Sequence, residues 1–297
     1  MTDDLEQKAE SLERSGEFRV LRRLLPRGAY HEPDGTPVER AVYLDLETTG
    51  LNPAVDEIVE FAMVPFDFSA DGRIFAVHEP FDRLREPGRP IPPAVTSLTG
   101  IDETTVAGRS IDPAEIEAFL GPVKLVVAHN AAFDRAFAER FCSRFANLPW
   151  AVLGARFRGP RRDTRAGRGW ASFWPRQGYS TTDTGRPTTA ARASNCSRGH
   201  SPRSGRTGLD VLLSSARATR WRIRAVGAPF EMREVLKKRG YRWDPGGGRR
   251  TKGWFTDVAE SGLDAERDFL QREIYGQHEA RIEVRRIEAI DRYSDRC

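Results

Sequence analysis

The spacing of apolar and polar positions divides the chain into patterned stretches and one that carries no pattern. Leu5, Leu12, Val20, Leu21, Leu24 and Leu25 recur among charges, which predicts a helix from Leu5 to about Leu25. Residues Gly28 to Pro37, with Pro33-Asp34-Gly35, read as a loop. Three strands are predicted next, at Arg40–Leu46, Glu57–Phe66 and Arg73–Phe81. Ile91–Ile101 opens on Pro92-Pro93 and closes near Gly100, the punctuation of a short helix. Asp112 caps a second helix, whose Ile116, Phe119 and Leu120 share one stripe. Lys124–Ala128 reads as a buried strand. Phe133, Phe137 and Phe141 then recur at helical spacing and form a core face. Strands followed by helices place the chain in the α/β class, and the opening meander predicts a mixed sheet with antiparallel edge strands, flanked by helices.

Beyond Trp150 the pattern stops. Residues 151–208 hold twelve arginines against two aspartates, no lysine or glutamate, and only Val152 and Leu153 as branched aliphatics. Taken at face value this is a disordered basic linker. Pattern returns at Leu209, with a helix to Ala216, a strand at Thr219–Val226 and a helix at Pro229–Gly240. A hairpin follows, Tyr241–Trp243 and Gly253–Val258 around Asp244–Gly248, then a helix at Leu263–Tyr275 and a last strand at Arg281–Ile287. The expected organisation is an N-terminal helical extension (1–37), an α/β domain (38–208, aberrant over 151–208) and a small α+β module (209–297). Basic residues interleave with Trp221, Tyr241, Trp243 and Trp254 in that module. These aromatics have two readings: the small core of the module, or a surface that stacks bases while the cations contact phosphates.

Composition narrows the partners. The net charge is only +4 over 297 residues, but the arginine bias suits an anionic partner. The start, Met1-Thr2-Asp3-Asp4, is acidic and lacks the apolar core of a secretion signal, and no apolar run is long enough to span a bilayer. Cys142, Cys196 and Cys297 are too few and too scattered for a disulfide framework or a thiolate zinc site. A reduced, cytoplasmic protein with no membrane partner is expected.

The chemistry sits at the end of the first strand, Leu44-Asp45-Leu46-Glu47-Thr48-Thr49-Gly50-Leu51. Side chains alternate along a strand, so Asp45 and Glu47 project from one face. Paired carboxylates repel each other and are expensive to desolvate, and a hard divalent cation resolves both costs. A bare Asp-x-Glu is also what a solvated strand end looks like. Asp134 lies in the first turn of the Phe133–Phe141 helix, where it either faces the strand end carrying Asp45 or only complements the helix N-terminus.

Taken together, Asp45-x-Glu47-Thr48-Thr49-Gly50-Leu51, Leu98-Thr99-Gly100-Ile101 and His129-Asn130-x-x-Phe133-Asp134 resemble, in order and spacing, the DEDD 3′–5′ exonucleases of the DnaQ-like type. The type nearest in pattern is the proofreading (epsilon) subunit of bacterial DNA polymerase III. The resemblance covers roughly residues 38–150 and implies a ribonuclease-H-like fold. It also implies hydrolysis of DNA or RNA from 3′ ends with two Mg²⁺ or Mn²⁺ ions. Asp45 would bridge both metals, Glu47 would bind one and steer the attacking water, and Asp134 would complete the set. Thr48, Thr49 and Leu51 match positions that line the pocket for the terminal nucleotide. The implied partners are a single-stranded or 3′-terminal nucleic acid and a polymerase. His129, a packing residue at the strand end or a neighbour of the site, does not match the family's catalytic histidine and stays unassigned.

That histidine belongs to a third motif, a histidine followed five residues later by an aspartate, and no such pair follows Trp150. The general base is therefore unknown in the chain as written. Reading the third base of each codon with the first two of the next offers an explanation. The pairs Trp170/Ala171, Phe173/Trp174 and Trp174/Pro175 force Gly, Leu and Ala in the offset frame. Tyr179–Arg192 is then compatible with Leu-His-Asp-Gly-His-Arg-Ala-Thr-Asp-Asp-Cys-Arg-Ala, which contains the missing pair. The expectation is a frameshifted translation from just after Trp150 to about Gly205. As written, the chain keeps three carboxylates without a base, so its activity is expected to be impaired. The competing reading is a strand-binding or scaffold protein on an exonuclease fold.

Overall fold

The computed structural model describes residues 2–18, 28–153, 207–247, 250–276, 279–294 and 296. The arginine-rich stretch with its frameshift reading falls, from residue 154 to 206, outside the described residues. So does the second half of the expected N-terminal helix (19–27). Helix α1 covers Thr2–Arg14 and ends ahead of a turn at Ser15-Gly16, where Gly16 takes φ +76°, so it stops well short of Leu25.

The first sheet is built from β1 (Val38–Thr48), β2 (Ile58–Ser69), β3 (Ile74–Val77), β4 (Phe81–Leu84), β5 (Val123–Ala128) and β6 (Trp150–Val152). Its order is β3-β2-β1-β5-β6, with β4 pairing the far end of β2. Pairs β1/β2, β2/β3 and β2/β4 are antiparallel, whereas β1/β5 and β5/β6 are parallel. The mixed sheet has the ribonuclease-H-like arrangement expected from sequence. The single strand expected at Arg73–Phe81 is two short ones, because His78, Glu79 and Pro80 leave the ladder between Val77 and Phe81. Helices α2 (Pro93–Thr99), α4 (Pro113–Leu120) and α5 (Ala131–Phe141) stand where the sequence placed them, and a short α3 (Glu103–Val106), capped by Asp102, was not expected. Gly100 closes α2 at φ +70°, and Asp112 caps α4 by accepting from the Ala114 N–H at 2.8 Å.

Alternation along β1 divides the core. Val42, Leu44 and Leu46 pack with α4 and α5 through Ile116, Leu120, Phe137 and Ala138. Ala41 and Tyr43 point the other way, onto Leu209, Leu212 and Leu213 of α6 (Gly208–Arg217). Helix α6 was expected to open the C-terminal module, but its leucine stripe covers the first sheet. The module boundary therefore lies after Arg217. Gly72, in the β2–β3 turn, carries the docking: it sits at φ +80°, and a Cβ there would lie 2.4 Å from the Asp210 amide nitrogen.

The remaining chain forms a second sheet, β10-β7-β9-β8, from β7 (Arg220–Val226), β8 (Arg242–Asp244), β9 (Gly253–Ala259) and β10 (Arg281–Ile287). One face carries α7 (Arg233–Lys238) and α8 (Leu263–Phe269), the latter continued by a π-helical turn at Leu270–Tyr275. Ile223, Ala225, Leu236, Tyr241, Leu270 and Ile274 form its small core. Among the described residues no helix is long and apolar enough to cross a membrane.

Candidate active site

Strand β1 runs parallel to β5 only as far as Leu44 opposite Ala128. Asp45 and Glu47 therefore project past the end of β5, where open α/β sheets leave a crevice at the carboxyl ends of their strands. Both are half-buried and continue the Ala41/Tyr43 parity, so they stand on the face covered by α6. The ladder between β1 and β2 shifts register between Glu47 and Thr48, a bulge of the kind that re-aims a side chain beside a site.

Asp134 arrives from the other side. Strand β5 ends at Ala128, the chain turns at His129-Asn130, and the Asn130 carbonyl starts α5 by accepting from the Phe133 and Asp134 amides at 2.8 and 3.1 Å. This puts Asp134 in the first turn and buries it to 4% exposure. Burial pushes its carboxyl well above the usual carboxylate range, and the charge of Asp45 pushes in the same direction. The backbone N–H groups of Asp134, Asn130 and Leu46 pull the other way. Asp45 and Asp134, 89 residues apart in sequence, thus act on each other directly, and Asp134 is more than a helix N-terminal charge. His129 is exposed at the strand end.

The turn after β1 is built by its own polar groups. Thr48 Oγ1 donates to the Gly50 carbonyl at 2.6 Å. Thr49 Oγ1 accepts from the Glu57 amide at 3.0 Å, and the Thr49 amide donates to the Glu57 carbonyl at 2.8 Å. Thr48 and Thr49 are buried, and these bonds use their hydroxyls to hold the loop. Leu51 is 84% exposed and Leu98 of the second motif is 73% exposed, so both offer open apolar surface. Two residues escaped the sequence reading. Asp56 accepts from the Asn52 amide at 2.8 Å, and a Cβ on Gly50 would lie 2.5 Å from its Oδ2, which is why glycine stands there. Its signal was the four-residue spacing Asn52 to Asp56 in a turn. Glu60 lies directly across the ladder from Glu47, a second carboxylate on that side of the sheet. Only the register reveals it.

The donors suit a hard divalent cation: carboxylate oxygens, with Asp45 close enough to add to the cost of ionising the buried Asp134. A cation bound between them would remove that cost. Among the described residues, however, no three His, Cys, Asp or Glu side chains stand close enough together to hold a metal ion as they are. The structure brings Asp45 and Asp134 together and leaves Glu47 beside them on the strand.

Residues 42–165 match the Exonuclease family model of the ribonuclease T type. That match spans β1 to β5 and α5 and includes Asp45, Glu47 and Asp134. Over 146 residues the chain is 37% identical to a DNA polymerase III subunit epsilon-like protein of Rhodobacter capsulatus, a match covering 48% of the chain and 19% of that protein. Over 111 residues it is 34% identical to the PolC-type DNA polymerase III of Thermotoga petrophila, covering 37% of the chain and 8% of that polymerase. The chain thus spans less than a fifth of either relative. Among solved structures it is similar to exonuclease I in complex with a dT13 oligonucleotide, from E. coli, at 21% identity and TM-score 0.29, over 35% of this chain and 23% of that one.

Proposed function

We propose that the exonuclease domain hydrolyses the phosphodiester bonds of a DNA or RNA strand from its 3′ end, with two divalent cations, Mg²⁺ or Mn²⁺. The reading is carried by the juxtaposition of the buried Asp134 carboxyl with Asp45 at the carboxyl end of β1. Asp45, Glu47 and Asp134 would hold the cations, with Asp45 shared between them. Once bound, the pair supplies charge stabilisation for the attacking and leaving oxygens of an in-line displacement. Glu47, half-buried at the strand end, orients the attacking water by accepting its hydrogen bond. The turn fixed by Thr48, Thr49 and Asp56 presents Leu51 as apolar surface for the terminal base. No general base is assigned among the described residues. A polymerase is the proposed partner of the full assembly.

A second reading follows from the missing histidine–aspartate pair: a protein that binds strands and does not cut them. Digestion of a 3′-labelled single strand separates the two. Release of labelled mononucleotides that requires Mg²⁺ or Mn²⁺ and vanishes in Asp45→Ala supports the exonuclease. Strand binding without Mg²⁺ and with no digestion supports the binder, and turnover of small nucleotide esters alone would overturn both.

A further inference from the structure

The hairpin of the C-terminal module ends in a cationic tip with an exposed indole. Of the four aromatics that the sequence left open between core and base stacking, the structure turns one outward. Tyr241 is buried, with its hydroxyl donating to Glu266 at 2.9 Å. Trp254 packs against the module core, and Trp221 is half-buried along β7. Trp243 stands 47% exposed on β8, the outermost strand of the sheet. Its ring is held edge-on to Trp254 with centroids 5.4 Å apart, and the Lys252 ammonium lies 5.7 Å from its centroid.

Charge is polarised around this ring. From Lys237 to Trp254 the chain places seven basic residues against a single acid, Asp244. That acid is buried and tied to Arg224 at 3.0 Å, so it does not neutralise the surface. Lys252 is exposed beside Trp243, whereas Arg242, next along β8, faces the other side of the sheet, where it lies 4.8 Å from the Phe255 centroid and pairs with Asp257 at 3.6 Å. Three of the seven cations are paired with carboxylates from outside that stretch, Lys237 with Glu234 at 3.0 Å, Arg239 with Glu266 at 2.8 Å and Arg242 with Asp257 at 3.6 Å, which leaves Lys252 as the cation at the ring.

We propose that this tip is a second strand-binding site, separate from the carboxylate site. It takes single-stranded nucleic acid by stacking a base on Trp243 and placing the neighbouring phosphate against Lys252. An aromatic platform flanked by cations is the chemistry that holds single strands without reading their sequence. A rigid indole braced by Trp254 keeps its face without ordering cost. An acidic protein surface would match the charge but would not use the open ring face. The site deepens the exonuclease reading by giving the strand a hold away from its 3′ end, but its test is binding alone.

The full chain carrying Asp45→Ala is titrated, without divalent metal, into a labelled oligothymidylate of about 20 nucleotides, longer than the roughly 4–16 that one small module covers. Fluorescence anisotropy is the readout. Adding Trp243→Ala is expected to weaken binding roughly tenfold, while Trp243→Phe retains most of it. Lys252→Glu is expected to weaken binding and flatten its salt dependence by roughly 0.7 in log–log slope per lost contact. Thermal melting checks that each variant is folded. Unchanged affinity in folded Trp243→Ala and Lys252→Glu would overturn the proposal. So would displacement by polyglutamate as effective as by unlabelled oligonucleotide, since the tip would then be a surface for acidic protein. Failure of the unmutated chain to digest a strand counts against the exonuclease reading only.

Discussion

The guanidinium of Arg135 donates a 2.6 Å hydrogen bond to the backbone carbonyl of Arg292, 157 residues further along the chain. A second bond of 2.6 Å reaches the Ile290 carbonyl, and Glu139 completes an ion pair one helical turn on. Arg135 is fully buried, 5.5 Å from the centroid of the Trp150 ring, and it directly follows Asp134 on α5. Arg292 in turn donates to the Ser215 and Ala216 carbonyls at the end of α6, both at 2.8 Å. The chain after β10 is thus a strap tying the helix that carries Asp134 to the helix that covers the Asp45 face.

Arg135→Met fills most of the volume but leaves the Arg292 carbonyl without its donor and takes the buried guanidinium from the Ile290 carbonyl and the Glu139 carboxylate, which keep Arg296. A loss of about 3 kcal/mol is expected, the cost of breaking a buried pair from one side. Denaturant unfolding measures it. An unchanged midpoint would mean that the strap contributes nothing to the exonuclease domain.

Asp45→Ala and Asp134→Asn are expected to abolish cleavage while the fold survives. In metal-free buffer Asp134→Asn should melt at or above the wild-type temperature, because the substitution removes a buried carboxylate that the half-buried Asp45 repels. Saturating Mg²⁺ should stabilise the wild type by about 2.7 kcal/mol at a hundred times the Kd, raising its melting temperature, and leave that of Asp45→Ala where it was. An equal Mg²⁺ shift in both proteins would remove Asp45 from the ligands.

Gly72→Ala tests the docking of α6. The new methyl meets the Asp210 backbone in a left-handed conformation that itself disfavours a side chain by roughly 1–2 kcal/mol. A total loss of at least about 2 kcal/mol is expected from urea melts. A neutral outcome would place α6 away from the β2–β3 turn.

Asp244 sets an acid limit for the C-terminal module. Burial pulls its carboxyl up, but the Gly246 amide and the Arg224 and Arg250 guanidinia outweigh burial, and the net shift is downward. A depressed folded value stabilises the module above the unfolded carboxylate pKa of about 3.9, and that stability is lost as pH falls through the folded value. Asp244→Asn should therefore destabilise the protein at neutral pH and flatten the acid limb of its stability curve. The comparison is melting temperature from pH 7 to below pH 3, and parallel curves would refute the assignment.

The frameshift reading makes its own test. A chain restored to the offset frame from just after Trp150 to about Gly205 would carry a histidine–aspartate pair ahead of α6, the helix lying on the Asp45 and Glu47 face. Restored and written chains are compared for Mg²⁺-dependent digestion of a 3′-labelled strand, and the coding DNA is sequenced. Equal rates in both would place the base elsewhere and sink the idea.

Much of this protein was legible in sequence because its signals are local. Strand periodicity put Asp45 and Glu47 on one side of β1, helix periodicity put Asp134 in the first turn of α5, and glycine and proline marked where α2 begins and ends. The hairpin and last strand of the C-terminal module were legible for the same reason. What local pattern does not carry is which element a given face packs against. The leucine stripe of α6 is the same stripe whether it covers the first sheet or the second, and only tertiary packing decided for the first. Register is equally invisible, so Glu60 opposite Glu47 and the β3/β4 break came from the folded ladder alone. The aromatics of the last module read alike in sequence, and burial separated Trp243 from the rest. Asp134 shows the division most directly. Its helix position is a matter of spacing, but its proximity to Asp45 exists only because β1 runs parallel to β5 and continues past its end, where α5 begins.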